Sequence, residues 1–411
     1  MRAGNKSSIR NVVAAIGVIG CGTAGAAAAL FLSRAGHDVR VFERVAEPRP
    51  IGAGIIVQPS GQAVLAQLGL LDQIAARAAK LDRLWLRTPR GRTLVDLHYA
   101  RVDPTWFGLG THRGVLFSAL YEAARAEVNI TTGCTIQKIR REAKLWLDDH
   151  GPFDLVVVAD GASSALRSAK RDRLYPWGAL WFVAEDPEQT FTRELYQVAR
   201  GTRQLYGVLP TGLGPHGETP IASLFWSLAA ADLDAWRARG LDAWKAEVRA
   251  LDPRIEPVLA QIHSPDQLTF ARYRDVAMPK WHDRGVVFLG DAAHATSPQL
   301  GQGANLALVD AMVLADALAN GCDEAALADY SRRRKRHLGT YQFMTRALTP
   351  LFQSHSRVAG WLRDLTFPIA NALPPLRNHM IRTMAGVSRG FARKSLPLES
   401  SASSALQASH R

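Results

Sequence analysis

The sequence predicts an α/β protein with an open parallel sheet, an antiparallel sheet interleaved with it along the chain, and a helical C-terminal segment. Three observations carry that expectation. Residues 12–43 read as strand, glycine-rich turn, small-residue helix and second strand. Two β-branched runs, Phe153–Ala159 and Gly285–Leu289, each deliver an acid at their C-terminal end, as buried parallel strands do at a ligand-binding edge. Between them, residues 174–267 change to aromatic and β-branched runs with turn signals, the pattern of an antiparallel sheet.

The first unit is the most specific. Val12–Ile19 leads into Gly20-Cys21-Gly22-Thr23-Ala24-Gly25, the helix Ala26–Leu32 leads out, and Val39–Phe42 ends at Glu43. This is a Rossmann-like dinucleotide fingerprint, and each glycine has a physical reason. Gly20 permits the tight turn, Gly22 lets the backbone touch a pyrophosphate, and Gly25 lets helix and strand pack closely. The pyrophosphate sits on the exposed N–H groups of the helix N-terminus. Glu43 is placed to accept hydrogen bonds from a ribose, with Arg44 beside it. The competing readings, a signal peptide or a membrane span, fit poorly because the stretch is rich in Gly and Ala and keeps the required element order.

Composition is that of an ordinary globular protein, 47% hydrophobic and 21% charged. Cys21, Cys134 and Cys322 are far apart, form no metal-ligand spacing or disulfide framework, and suit a reducing cytoplasm. The net charge of +13 is concentrated at one end: Ser331–Arg411 holds 14 Lys and Arg against Asp364 and Glu399. The basic character therefore belongs to a C-terminal module, and no nucleic-acid-binding motif accompanies it.

In chain order, Ile51–Gln58 reads as a glycine-containing strand that passes close to something flat, and Ser60–Leu70 as a helix. Leu81–Leu86 and Thr93–Leu97 flank a hairpin turn and look like an excursion into the second sheet. Thr111-His112-Arg113-Gly114 opens a helix whose apolar face is Val115, Leu116, Ala119, Leu120 and Ala123. Strands follow around 128–132, 135–140 and 145–147. Asp160-Gly161 through Arg167 forms an acid–glycine turn after the buried strand. In the middle region, Ala179–Val183, Leu195–Val198, Gln204–Leu209 and Ile221–Leu228 read as strands, and Asp232–Arg239 and Asp242–Ala250 as helices. Gly290-Asp291-Ala292-Ala293-His294 and the Pro298–Asn305 loop lead into a helix over Leu306–Leu318. Here two glycines and a helix N-terminus make a second cradle for a polar or anionic atom.

Over residues 12–345 this arrangement resembles the single-component FAD-dependent aromatic hydroxylases, the family of para-hydroxybenzoate hydroxylase and salicylate hydroxylase. The resemblance rests on three separated motifs in family order: Gly20–Gly25 with Glu43, Asp160-Gly161 through Arg167, and Gly290-Asp291 with the Pro298–Asn305 loop. It implies that Gly20, Gly22, Thr23, Ala24, Gly25, Glu43 and Arg44 hold the ADP part of FAD. It implies that Asp160 serves both FAD and the nicotinamide donor, that Asp291 holds the ribityl chain, and that Arg113 lies near the pyrophosphate and flavin. Pro298, Gly301, Gly303, Ala304 and Asn305 would line the isoalloxazine ring, with N–H donors near its pyrimidine end. Pro298 and Arg113 are the residues it places closest to the chemistry. In that family NADPH or NADH reduces the flavin and leaves, and O₂ then gives a flavin hydroperoxide that hydroxylates an electron-rich ring.

The expected division is an FAD-binding domain over 1–80, 98–173 and 268–330, and a substrate domain over 81–97 and 174–267. A basic helical module over 331–399 and a disordered tail over 400–411 complete it. Each site residue also has a structural reading: Asp160 and Asp291 as helix caps, Arg113 as a surface cation, His294 as a satisfied histidine, and Trp181, Phe225 and Trp226 as sheet core. Tyr196, Tyr206 and Gln197 are the candidate polar substrate contacts, and His216 lies in an exposed turn. Ser331–His337 is expected to be a solvated helix. The apolar and basic residues beyond it are expected to pack on the enzyme, the alternative being contact with a membrane surface. Oligomeric state is not specified by the sequence. A flavin halogenase or reductase of the same fold, or a non-catalytic flavin-binding protein, are the rival functions. The halogenase pair of tryptophans is absent, since Trp177 and Trp181 have the wrong spacing.

Overall fold

A computed structural model describes residues 13–388. The expected tail over 400–411 lies outside them. Strands β1 (Ala15–Ile19), β2 (Asp38–Phe42), β8 (Asn129–Thr131), β12 (Leu155–Val158), β18 (His282–Asp283) and β19 (Val286–Phe288) form one sheet in the order β18-β19-β12-β1-β2-β8. All its pairings are parallel except β18 with β19. The chain order reverses between β1 and β12, which is where open α/β sheets bind ligands.

Helices α1 (Thr23–Arg34), α4 (Arg113–Glu127) and α9 (Gly303–Leu318) pack beside this sheet, with α1 against both others. Residues Ala24 to Ala29 of α1 are all buried, so its small side chains let α9 approach closely. Helices α2 (Pro59–Gln67) and α3 (Leu71–Ala75) and the one-turn α8 (Asp291–His294) complete this layer. Strands β9 (Ile139–Arg141), β10 (Leu145–Leu147) and β11 (His150–Phe153) form a small antiparallel flap, so the expected strand over 135–140 begins only at Ile139.

The second large sheet runs β17-β13-β16-β15-β14-β5-β6. Its strands are β5 (Arg83–Arg87), β6 (Thr93–His98), β13 (Arg171–Glu185), β14 (Glu194–Arg200), β15 (Gln204–Leu213), β16 (Pro220–Ala229) and β17 (Thr269–Ala277). The hairpin β5–β6 joins it beside β14, as its composition suggests, while β17 extends the sheet beyond residue 267. One face is covered by α5 (Leu233–Arg239), α6 (Leu241–Leu251) and α7 (Glu256–Leu259) through Trp226, Trp236, Trp244 and Val248. The other face looks towards the parallel sheet across β3 (Gly54–Val57), β4 (Ala79–Leu81) and β7 (Gly108–His112), an antiparallel set in the order β3-β7-β4. A Cβ on Gly110 would lie 2.0 Å from the carbonyl of Pro210, so β7 and β15 meet backbone to backbone.

The long helix α10 (Glu324–Phe352) crosses residue 330 and differs from the solvated helix expected over Ser331–His337. Ser331, Arg334 and His337 are buried, because i, i+3 spacing points them inward while Arg332, Arg333 and Arg336 face water. Arg334 donates through Nε to Asp310 Oδ1 (2.6 Å) and contacts His337 Nδ1 at 2.6 Å. The other oxygen of Asp310 accepts from Gly290 N (2.8 Å) and meets His294 Nε2 at 2.5 Å. One buried carboxylate thus joins the Gly290 turn, α8, α9 and α10. Helices α11 (Arg357–Ala372) and α12 (Pro374–Met384) follow and pack over β6.

Burial opposes ionisation of Asp310, but His294 and Arg334 outweigh it and lower the carboxyl from 3.8 to about 2. Arg334→Ala is expected to cost about 3–5 kcal/mol in denaturant unfolding, because it leaves a buried charge unpaired. Arg332→Ala on the same helix, with a side chain 60% exposed, should change stability by less than about 0.5 kcal/mol. Since the folded value is depressed, Asp310's contribution is complete above its ordinary 3.8 and is lost as pH falls towards 2. The stability difference between the native chain and Asp310→Asn should therefore shrink over that window.

Candidate active site

The glycine-rich loop follows β1 directly, and its three glycines are needed for three different reasons. Gly20 has φ +91°, and a Cβ there would lie 2.6 Å from the Ala159 carbonyl. A Cβ on Gly25 would sit 1.9 Å from the carbonyl of Gly20, so the turn and helix α1 leave no room for a side chain. A Cβ on Gly22 meets nothing within 4 Å, so this glycine faces open space and keeps it free. Helix α1 carries no side-chain cap and no acid in its first turn, and its first backbone bond runs from Ala26 N to Gly22 O. The N–H groups of Thr23, Ala24 and Gly25 are left to an incoming acceptor.

Glu43, at the end of β2, accepts from Cys21 N (2.8 Å) and Val45 N (2.9 Å), which fixes its half-buried carboxylate beside the loop. Asp160 follows β12, and a Cβ on Gly20 would lie 2.9 Å from its Cα. Its Oδ1 is buried with no hydrogen-bond partner among the described residues. Burial pushes this carboxyl up, against a hydrogen bond from Ser164 and the charges of Arg167 and Arg44. Arg167 holds the turn by donating to the carbonyls of Gly161 and Ala162 and pairing with Asp172. Neither Asp160 nor Asp291 acts as a helix cap: α8 begins at Asp291 with Gly290 before it, and no side-chain cap is formed.

Gly290 is where the two halves of the cradle meet, since a Cβ there would lie 2.9 Å from Ala24 Cβ and 3.3 Å from Ala307 Cβ. The N-terminal halves of α1 and α9 therefore come together at Gly290. Helix α9 repeats the α1 arrangement, with no side-chain cap, no acid in its first turn, and Leu306 N to Gln302 O as its first bond. The exposed Asp291 carboxylate points at it, 4.0 Å from where a Gly303 Cβ would be. Pro298 opens a short exposed turn that ends at Gly301 with φ +61°.

Asn305 has a different task from the loop around it. Its side chain accepts from Gln58 N (2.8 Å) and donates to Ile56 O (2.9 Å), which ties β3 to α9. Only its backbone belongs to the cradle. Arg113 is the exposed first residue of α4, its side chain against Gly52 and its N–H donating to Ala53 O. It takes part in no ion pair among the described residues.

The face of the second sheet that looks inward carries a continuous cross-strand row: Trp181, Phe225, Gly207, Gln197 and Leu86. Trp181 and Phe225 are half-buried with ring centroids 5.1 Å apart. Trp181 Nε1 donates to the hydroxyl of Tyr273 on β17 (3.0 Å). Tyr273 was not among the residues singled out by sequence, because β17 was not read as part of this sheet. Trp226, Tyr196 and Tyr206 lie one residue out of phase and face the α5–α7 cover, where Trp226 packs on Trp244 and Tyr206 reaches Asp252. Gln197 alone of the three polar candidates faces inward. Ser223 Oγ accepts from Gly54 N (2.9 Å), and Val276 N donates to Ala295 O (2.8 Å). These bonds fix the sheet against β3 and the loop that leads to Pro298.

The chain matches the family described as FAD binding domain over residues 13–341. It is 31% identical over 348 residues to the 3-amino-4-hydroxybenzoate 2-monooxygenase of Streptomyces cremeus, covering 78% of this chain and 82% of that protein. It is 28% identical over 325 residues to a probable 2-heptyl-3-hydroxy-4(1H)-quinolone synthase of Rhodococcus erythropolis, covering 77% and 82%. The crystal structure of Pseudomonas aeruginosa PqsL in complex with 2-aminobenzoylacetate superposes with TM-score 0.71 at 24% identity, over 85% of this chain and 99% of that one.

Open space at Gly22, an orphaned acceptor at Asp160 and two uncapped helix N-termini fit FAD. Gly22→Ala is expected to keep the melting temperature and to weaken FAD binding at least about tenfold, read by quenching of flavin fluorescence. Gly25→Ala, whose Cβ has no room, should instead lower the stability of the FAD-free protein.

Proposed function

This chain belongs to the FAD-binding monooxygenase family, and from that premise we propose that it hydroxylates a neutral aromatic activated by a ring nitrogen or amino group, using NAD(P)H and O₂. FAD, when bound, accepts hydride from the nicotinamide donor and activates O₂. The protein's part is to bind, orient and exclude water.

In this reading Gly20, Gly22, Thr23, Ala24 and Gly25 receive the pyrophosphate, Glu43 the adenosine ribose, and Asp291 the ribityl hydroxyls. Arg44 and Asp160 stand at the edge shared with the nicotinamide donor. Gly301, Gly303, Ala304 and the backbone of Asn305 present N–H donors where negative charge gathers on the reduced ring. Arg113 supplies a free cation at the same edge, and Pro298 forms the wall between ring and substrate.

The observation that carries the substrate class is the row Trp181–Phe225–Gly207–Gln197. Two aromatic rings suit a planar apolar substrate, and Gly207 leaves the space into which the Phe225 ring leans. The Gln197 amide both donates and accepts, which matches a neutral N–H and C=O pair. The phenols nearby do not serve as bases: burial raises both Tyr175 and Tyr273 above 10.0. An amino-substituted or quinolone-type ring needs no deprotonation. The Rhodococcus relative is named for a quinolone, while the Streptomyces relative is named for a substrate that shares the amino group but is also a phenol and a carboxylate. Three unpaired cysteines support a reducing, cytoplasmic setting.

Anaerobic mixing of the FAD-loaded protein with NADPH or NADH tests the reading. A 4-quinolone or 2-aminobenzoyl compound should accelerate flavin bleaching more than a phenol or benzoate does. Acceleration by phenols alone, rising with pH as they ionise, would overturn the neutral-substrate assignment. Gln197→Leu should raise the KM for such a compound about tenfold, consistent with one lost hydrogen bond, and leave substrate-free flavin reduction unchanged.

A further inference from the structure

Helix α11 is built inside out. Its inward side carries Arg363, Asp364 and Asn371, and its outward side carries Val358, Trp361, Leu362, Leu365 and Ile369. Six of the eleven exposed large apolar side chains among the described residues lie between Val358 and Leu373. These positions follow helical spacing along one stripe, which a helix packed on a protein core would turn inward.

The orientation is strongly held. Arg363 is fully buried and donates through Nη1 to the carbonyls of Gly201 (2.7 Å) and Leu351 (3.0 Å), while Nε and Nη2 pair with Asp364. Asn371 Oδ1 accepts from Asp96 N (3.0 Å). Gly360 sits against Thr202, where a Cβ would be 3.2 Å from Thr202 Cγ2. Rolling the helix to hide its apolar stripe would leave a buried guanidinium and three backbone groups without partners, which disfavours it.

We propose that this stripe docks on an anionic membrane surface, with α11 lying in the headgroup plane. Charge identifies the occupant. Of the ten Lys and Arg in residues 331–388, Arg332, Arg333, Arg334, Arg346 and Arg363 are paired with acids. That leaves Lys335, Arg336, Arg357, Arg377 and Arg382 without an ion pair among the described residues. No acid of the segment opposes them, since its one acid, Asp364, is engaged by Arg363. Arg357 is the charged residue on the exposed side of α11, and Arg382 is exposed on α12. A second copy would bring the same cations against themselves, whereas anionic headgroups attract them. Trp361 is the side chain type that settles at such an interface. No helix among the described residues is long and apolar enough to cross a membrane, so the contact is peripheral. On the inward side Phe367 packs in the same apolar cluster as Phe225. The docked surface therefore backs onto the antiparallel sheet.

Co-sedimentation of the full-length, FAD-loaded protein with phosphatidylcholine vesicles, with and without phosphatidylglycerol, tests the proposal independently of substrate or turnover. Binding is expected only with phosphatidylglycerol present, weakening as salt rises. Leu365→Glu with Ile369→Glu should reduce it at least tenfold while FAD content and melting temperature hold. Three results would overturn the proposal: no binding to anionic vesicles, binding that the glutamate variant retains, or a native dimer that the variant converts to monomer. The last would assign the stripe to a second copy.

Discussion

A single buried carboxylate holds the cofactor cradle in shape. Asp310 lies in the middle of α9, fully excluded from water, and is compensated by Arg334, His294 and the N–H of Gly290. An ion in such a place is tolerated only when every lone pair is used, so the partners hold one another in position. The consequence is geometric. Gly290 is the point where the N-terminal halves of α1 and α9 come together, and Asp310 accepts a hydrogen bond from its N–H. Both helices begin with no side-chain cap, and the space at Gly22 on the first of them is open.

From that arrangement the functional division follows. In the proposed reading the parallel sheet supplies backbone N–H groups and helix dipoles for a phosphate-rich cofactor, with the unsatisfied Asp160 oxygen in the polar lining. The antiparallel sheet supplies an aromatic face with one amide. It is fixed to the first sheet by Ser223 on Gly54, by Val276 on Ala295, and by Asp275, which pairs with Arg346 of α10. The reactive chemistry belongs to FAD, and the chain's own contribution is position and polarity.

Much of the cradle was legible in the sequence because it depends on local rules. The glycine spacing, the small-residue helix and Glu43 fall within one continuous unit, and each glycine's steric reason can be stated before any coordinates exist. What was not legible depends on contacts distant in the chain. Nothing near Arg334 announces Asp310, and the cations from Arg332 to Arg336 read as solvated although i, i+3 spacing turns Ser331, Arg334 and His337 inward. Strand parity carries the missing signal. Tyr196 and Tyr206 pair with Val208 and Trp226, so they share the face that is covered by helices. Gln197, one position on, had to face the other way. Residues 269–277 were missed because charged residues alternate through that strand, as suits the edge of a sheet.

The most direct measurement is turnover of a 2-alkyl-4-quinolone or 2-aminobenzoyl compound by the FAD-loaded chain under ¹⁸O₂ with NAD(P)H, followed by mass spectrometry. The account predicts one ¹⁸O atom in the product for each nicotinamide oxidised in coupled turnover, with the second atom leaving as water. Unlabelled substrate, with all consumed oxygen recovered as hydrogen peroxide across amino-aromatic, quinolone and phenolic compounds alike, would contradict it.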